Sequence, residues 1–574
     1  MKMAGPVFLD MEKAESIQHE ERGGTAGTQL RLPDQYDSRD KLAHTVRDGA
    51  PPSPPISHPE KNMITWDGPD DPENPFNWPS SKKWRITIIA CFITFLSGLS
   101  GTALAPTAPF LTSTFDLAPD ATSTIPPTYY PIFTWTLAAG LVPLILLPLM
   151  ETYGIRHPYL ALLTLLTLTH LPQSLAPTYA ALIGPRALTG AAAGALQNIT
   201  GGIVGDVWRG PRARSRPVAL YIWALLLGVT AGPVLGGAIT ARAQTPDAWR
   251  LVPWTLLALL AGAALPLAAF LLPETRGPAI LAARAARVRR LTGAAVYAEG
   301  EGRPCSGSSC EAWRTAATAA ARPLRMLATE PLVACCTVWS AFCFGNALLF
   351  TQSIPRVYGE LYGWEAWRSG LVQAGLVAGV TVGGALSPAA DALYFRTAAA
   401  AAKRDGAGDE AVAGGGLAGT DADEDFVPEG RLYLSVPASF VGLAGGLFVY
   451  AWTAWPGVHW MAPTVGLTLV GVGIFTVVTA ASNYVEDSYS LYAASALGGV
   501  AFGENLTGAF LPLAEQVLYT NLGFQWASSL LAFVAIGLSF APVLLLWKGK
   551  SIRARSPFIG QAMYEMQESD HELF

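Results

Sequence analysis

Long apolar runs alternate with short polar links over most of this chain. A helix that crosses a bilayer needs about 20 mostly apolar residues. Runs of that length occupy 84–106, 127–150, 158–176, 179–205, 217–241 and 250–272. A polar interval at 273–328 follows, and then six more runs at 329–353, 367–392, 431–453, 459–483, 488–513 and 524–547. The pattern predicts an all-α membrane protein with twelve transmembrane helices in two six-helix bundles. The expected organisation is a disordered cytosolic tail (1–81), an N-terminal bundle (82–272), a cytosolic central loop (273–328), a C-terminal bundle (329–547) and a cytosolic tail (548–574).

Basic residues set the orientation. One set of links carries Lys82, Lys83 and Arg85, then Arg156, then Arg209, Arg212, Arg214 and Arg216. The same set continues with the arginines between Arg276 and Arg325, with Arg396, Lys403 and Arg404, and with Lys548, Lys550, Arg553 and Arg555. The alternate links are nearly bare, with Arg242 and Arg356 the main exceptions. Basic loops stay in the cytosol, so both termini and the central loop are expected there. The short link at 484–487, with Glu486 and Asp487, departs from this pattern.

Composition narrows the class. Hydrophobic residues make up 51% and charged residues 14% of 574, against about 25% charged in soluble domains. The 57 Gly and 43 Pro lie largely inside the apolar runs, where membrane helices tolerate them. A net charge of −5 gives no basic signature for nucleic acid. Cys91, Cys335, Cys336 and Cys343 sit in apolar runs and read as packing residues, while Cys305 and Cys310 lie in a polar loop without a partner pair for a metal. No metal site is expected. Residues 1–21 are interrupted by Asp10, Glu12, Lys13 and Glu15, so the first membrane helix is expected to direct targeting.

Ionisable residues at membrane depth are few: Arg186, Glu504, Asp391 and His170. Each costs about 2.5–3.5 kcal/mol on insertion scales and needs a reason. His170 and Asp391 fall near run ends and are expected to be solvated. Glu504 could carry protons, meet a cationic substrate or pair with Arg186; the sequence leaves the three open. No Walker A string, nucleophile elbow or zinc-binding helix appears, so neither an ATP-driven pump nor an enzyme is expected.

Several strings carry a family likeness. Trp66-Asp67-Gly68-Pro69-Asp70-Asp71-Pro72-Glu73-Asn74-Pro75-Phe76-Asn77-Trp78 precedes the first run, and Gly228-Val-Thr-Ala-Gly232-Pro233-Val-Leu-Gly236-Gly237 lies in the fifth. Gly228, Gly232 and Gly236 are four apart and therefore share one helix face, which lets a neighbouring helix approach closely. Pro233 removes a backbone donor and favours a kink. Over roughly residues 66 to 558 the chain resembles the major facilitator superfamily, and more narrowly its fungal twelve-span drug:proton antiporters.

The resemblance implies roles. Gly228, Gly232, Pro233, Gly236 and Gly237 match the antiporter motif of exporters. Glu151 and Arg156, with Asp206 at the end of the fourth run, stand where the family has a charge latch that favours the outward-open state; Leu147, Ile155 and His157 depart from that motif. Arg186 resembles an arginine linked to proton coupling, and Glu504 stands where the family commonly has Arg. Cavity-lining spans supply Gln197, Asn198, Asn346, Gln352 and Asn483 as polar candidates, with Trp339 and Phe342 as aromatic ones. Helix–helix hydrogen bonding is the competing role for each amide. Trp249-Arg250 and Pro273-Glu274-Thr275 sit where the family places them, while Pro428-Glu429-Gly430-Arg431-Leu432 and Ile552-Arg553-Ala554-Arg555-Ser556 identify the family but read as helix-end and interface chemistry.

The implied function is proton-coupled export of a small, largely apolar drug, toxin or secondary metabolite by alternating access. No cofactor beyond a proton gradient is expected, and a monomer in the plasma membrane is the family expectation, with a vacuolar or vesicular membrane as alternative. A proton-coupled importer of a sugar, vitamin or organic acid on the same fold is the second reading, and a non-transporting sensor the third. Polyamines are disfavoured because the membrane carboxylates are so few.

Overall fold

The computed structural model describes residues 63–117, 126–241, 245–293, 296–298, 309–404, 428–489 and 492–561. Side chains at 148–153, 309–316 and 398–404 fall outside the description, as do Cys305 and Arg242. Among the described residues the regular structure is helical apart from one small strand pair.

The first half contains α1 (Ser80–Thr102), α2 (Tyr130–Tyr153), α3 (Arg156–Ser174), α4 (Tyr179–Val207), α5 (Pro211–Thr240) and α6 (Pro246–Leu271). Two helices occupy the central loop, α7 (Gly277–Thr292) and α8 (Ser309–Thr329). The second half contains α9 (Pro331–Tyr362), α10 (Ala366–Thr397), α11 (Pro428–Thr453), α12 (Met461–Tyr489), α13 (Ala493–Phe510), α14 (Glu515–Leu538) and α15 (Phe540–Arg553). Nine helical segments among the described residues are long and apolar enough to cross a membrane. The last of them, Ala493–Arg553, takes in α13, α14 and α15 together, although Gly523, at φ 74°, breaks the helical backbone within it. The α3 and α4 rods lie outside the nine, and α4 carries the buried Arg186.

Helix ends follow local chemistry. Pro211 and Pro331 open α5 and α9, where a missing amide hydrogen costs nothing. Gly154, at φ 86°, separates α2 from α3 in a backbone conformation that other residues rarely adopt. The Thr178 hydroxyl accepts the Ala181 amide at 3.3 Å and caps α4.

Within the first half α1 packs on α5, and α4 lies against α2 and α3. Within the second, α9 packs on α13 and α12 lies against α10 and α11. The halves meet where α2 touches α13 and where α5 touches α10. Small residues set these distances: Gly190 and Gly194 of α4 face the backbone of Trp135 and Ala139, and Gly379 of α10 faces Gly471 of α12.

Two expected loop regions are more ordered than the hydropathy pattern implies. Residues 63–79, assigned from sequence to the disordered tail, pair β1 (Met63–Ile64) in parallel with β2 (Tyr297–Ala298) and continue as a hydrogen-bonded turn. Ile64 and Trp66 pack on Leu281, Ala282 and Ala285 of α7. Short amphipathic segments of this kind are polar enough to read as loop, yet they bury one face when a partner strand and helix are supplied by distant sequence.

Candidate functional site

Arg186 lies on α4 and is 1% exposed. Its Nη1 donates to the Ser100 carbonyl at 2.6 Å, its Nη2 to the Gly101 carbonyl at 2.6 Å, and its Nε to the Pro131 carbonyl at 3.0 Å. Helix α1 stops at Thr102, and the last carbonyls of a helix have no intrahelical donor. The guanidinium therefore caps the negative end of the α1 dipole, which stabilises a buried cation without a carboxylate. Of the three options for Glu504, pairing with Arg186 is the one this geometry sets aside.

Glu504 is on α13, 7% exposed, and its Oε1 accepts from the Ser340 hydroxyl of α9. Among the described residues no basic side chain lies within ion-pair distance of it. Gly503 faces Thr337 and Gly508 faces Phe344 and Leu348, so the α9–α13 seam around the carboxyl is tight. Its neighbour Asn505 touches Gly140 of α2 across the halves.

The glycine string on α5 meets two helices. A methyl group at Gly228 would lie 2.4 Å from the Phe95 carbonyl, at Gly232 2.0 Å from Thr102 Oγ1, and at Gly236 2.0 Å from the Ala103 carbonyl. All three contact α1 or its extension. The Thr102 hydroxyl donates to the Val229 carbonyl at 2.7 Å within the same seam. Gly237 faces the other half, with a methyl there 2.6 Å from the Trp367 carbonyl of α10, and Gly370 of α10 lies against the Pro233 carbonyl. The string thus joins α1, α5 and α10.

Near Gly154 the expected latch residues are found in a wider network. Glu274 accepts from the Ile155 amide at 3.0 Å and the Arg156 amide at 3.0 Å, and Arg156 Nη2 donates to the Ala269 carbonyl at 3.3 Å. Asp206 pairs with Arg276 at 3.1 Å. The Glu151 side chain lies outside the described residues. Sequence reading treated Pro273-Glu274-Thr275 as a marker; the structure makes Glu274 the anchor of the Gly154 loop. Its signal was an acid at the end of an apolar run, facing a loop with free amides.

The family model of the Major Facilitator Superfamily matches residues 90–493. The chain belongs to the Major Facilitator Superfamily. An MFS-type transporter, paaT, of Penicillium rubens is 30% identical over 85% of this chain and 82% of its own length. The efflux pump radE of Floropilus chiversii is 29% identical over 87% of this chain and 86% of its own. A cycloheximide resistance protein of Candida maltosa is 28% identical, again over 87% of this chain and 86% of its own. Among solved structures, the proton:xylose symporter XylE bound to 6-bromo-6-deoxy-D-glucose is 14% identical with TM-score 0.55, covering 82% of this chain and 96% of that one. This last likeness concerns the fold alone. The protein is a multi-pass membrane transporter of the superfamily.

The seam between the halves is charged at one end. Arg214, at the start of α5, pairs with Glu486 at 3.3 Å and Asp487 at 3.5 Å at the end of α12. Arg431 pairs with Asp391 at 3.1 Å and Asp487 at 2.9 Å, and its guanidinium stacks 4.1 Å over the Tyr394 ring. Ser215 of the first half donates to Asp391 and accepts from Arg431. Asp391, expected to be solvated, is instead held in this network, because α5 brings a donor to it. His170, also expected to be solvated, is fully buried, with Nδ1 2.7 Å from the Leu166 carbonyl. Glu486, Asp487 and Arg431 were missed as a site; complementary charges at the same ends of neighbouring runs were the available signal.

A cavity opens beside this network, lined by Ser215, Phe475, Thr476, Thr479 and Asn483 among others. Residues 475, 479 and 483 are four apart and share one face of α12. Of the seven expected cavity residues, Asn483 is the one at this cavity. Gln197 is buried with no partner for its Nε2 among the described residues, and Asn198 donates to the Gly194 carbonyl at 2.8 Å. Asn346 donates to the Phe342 carbonyl at 2.8 Å, and its Oδ1 has no partner among the described residues. Gln352 donates to Thr351 at 3.3 Å. Trp339 is fully buried and donates from Nε1 to Ser439 of α11 at 3.1 Å, which directs it into the packing of the second half. Among the described residues the Asn346–Phe342 bond stays within one helix, and no hydrogen bond joins any two of the seven across helices.

Proposed function

We propose that this chain exports small, largely apolar organic compounds in exchange for protons by alternate opening of its two halves. The observation that carries this reading is the glycine string at Gly228–Gly237, which brings α5 into backbone contact with α1 and, through Gly237, with α10 of the opposite half. A seam of that kind closes one mouth without side chains to repack. Relatives named an efflux pump and a cycloheximide resistance protein support export over import. Arg186, held by carbonyls, is the fixed charge. Glu504, with one hydroxyl donor, is the group free to gain and lose a proton. The cavity beside Phe475, Thr479 and Asn483 offers hydroxyl, amide and aromatic groups to a neutral cargo, since Arg431 already balances Asp391.

On this reading the protein is a monomer with twelve crossings, both termini cytosolic, sited in the plasma membrane, and it leaves its cargo chemically unchanged. The test is efflux of cycloheximide and a neutral fluorescent dye from a pump-deficient yeast, with and without a protonophore. Lower retention that the protonophore abolishes is the expected result, and Glu504→Gln should abolish the protonophore-sensitive part. Uptake rising with expression would instead support the importer of a sugar, vitamin or organic acid. Failure to move any cargo or proton in reconstituted vesicles would support a sensor.

A further inference from the structure

The turn before α1 forms a contact that the transport reading leaves without a role. Asp71 is its centre, with a side chain only 3% exposed. Its Oδ2 accepts from the Asp67 amide at 3.0 Å and its Oδ1 from the Glu73 amide at 2.8 Å. Arg284 of α7 reaches Asp71 Oδ2 at 2.9 Å, ion-pairs with Asp67, and lies 3.9 Å from Glu73. The two amides, and then the guanidinium, hold the Asp71 carboxyl below the usual carboxylate range, so it is charged at neutral pH. Asn77 closes the turn by donating to the Pro69 carbonyl at 2.6 Å and the Asp71 carbonyl at 3.0 Å. Trp66 covers Gly277 at the start of α7.

The same stretch of chain holds the gate loop. Immediately before α7, Glu274 receives the amides of Ile155 and Arg156, and Arg276 pairs with Asp206. The helix is thus clasped at its middle, through Arg284, by three acids and tethered just before its first turn by Glu274 and Arg276.

We infer that Arg284 is a positioning residue for the gate loop: by clasping the acidic turn 67–73 it fixes α7, and α7 holds Glu274 beneath residues 154–156. The role in transport rests on the exporter reading, while the contact itself does not. The segment 66–78 is thereby a working part of the first half and more than an approach to the membrane.

The test uses the full-length chain in membranes, with Cys305 and Cys310 changed to Ser and the exposed His157 changed to Cys as reporter. Reaction of that cysteine with an impermeant maleimide needs no cargo and no proton gradient, so it reads the clasp even if export fails. Arg284→Ala should raise the labelling rate about fivefold at unchanged protein amount, a local opening of the loop. Arg284→Lys should restore most of the protection. Glu274→Gln should reproduce the rise, and Arg284→Ala combined with Glu274→Gln should add nothing further, because the two act in series. Unchanged labelling in Arg284→Ala, or additive effects in the double variant, would overturn the inference. If Arg284→Ala fails to reach the membrane, the double variant Asp67→Asn, Glu73→Gln weakens the clasp while sparing Asp71. It should raise labelling by a smaller factor, and no rise would again overturn the inference.

Discussion

The two halves touch through chemically opposite seams. At one end the contact is backbone and ring: Gly237 against the Trp367 carbonyl, Gly370 against the Pro233 carbonyl, and the Tyr129 hydroxyl donating at 3.1 Å to the Gly508 and Ala509 carbonyls. At the other end it is Arg214, Asp391, Arg431, Glu486 and Asp487, with Ser215 among them. Close backbone contact is sensitive to a single added methyl and indifferent to salt. Ion pairs tolerate small displacements and respond to charge and ionic strength. The difference teaches that the two mouths can be perturbed separately, and each can be broken by a change the other would tolerate.

The largest effect is expected at the glycines. Gly236→Val places atoms where a methyl is already 2.0 Å from the Ala103 carbonyl, and overpacking of this kind costs about 1–3 kcal/mol or more. Loss of monodisperse protein in detergent is the expected readout. Gly237→Val, by contrast, presses on the opposite half; it should leave the fold intact and cut efflux by about tenfold or more. If both variants behave alike, the seam does not separate packing within a half from closure between halves.

Next comes Arg431. Its side chain is 5% exposed and serves two acids, of which Asp487 is 3% exposed. Removing one partner of a buried pair costs about 3–5 kcal/mol, so Arg431→Ala should lower the thermal midpoint of purified protein markedly. Arg431→Lys keeps the charge but loses the fork and the stack on Tyr394, and should fall between.

Arg214 should show a smaller effect, because its side chain is 25% exposed. Arg214→Glu should weaken closure at the charged end by about 1 kcal/mol, seen as faster labelling of a cysteine at Asn483. The swap Arg214→Glu with Glu486→Arg should recover part of the protection. High salt should mimic the single variant and leave the glycine end unchanged.

The smallest effect is one of pH. The Asp71 carboxyl is depressed by the amides of Asp67 and Glu73 and by Arg284. A depressed acid contributes stability that is complete above its unfolded value, about 4, and is lost as pH falls through the lower folded value. Protection of the 66–78 segment from protease should therefore be flat from neutral pH down to about 5 and weaken only below about 4.

Much of this could be read along the chain. Residues four apart on one face announced the packing surface of α5, and the structure puts Gly228, Gly232 and Gly236 against α1. Arg186 stood out because a charge among apolar neighbours needs a partner, but its partners are carbonyls, which carry no mark in sequence. Trp339 and Asn483 looked alike as cavity candidates; one turns to Ser439 and the other lines a cavity.

Hydropathy, the placement of basic residues and the glycine spacing are local properties, repeated within a few helical turns, and they were enough to give the helical runs and their expected orientation, while the motif strings carried the resemblance to the family. Which charges meet was decided by packing. Arg284 finds Asp71 from 213 residues away, and Arg431 finds Ser215 from 216 away. Pairings over such separations depend on how whole helices are set against one another, and an ion pair leaves no periodic trace in either strand of sequence that forms it.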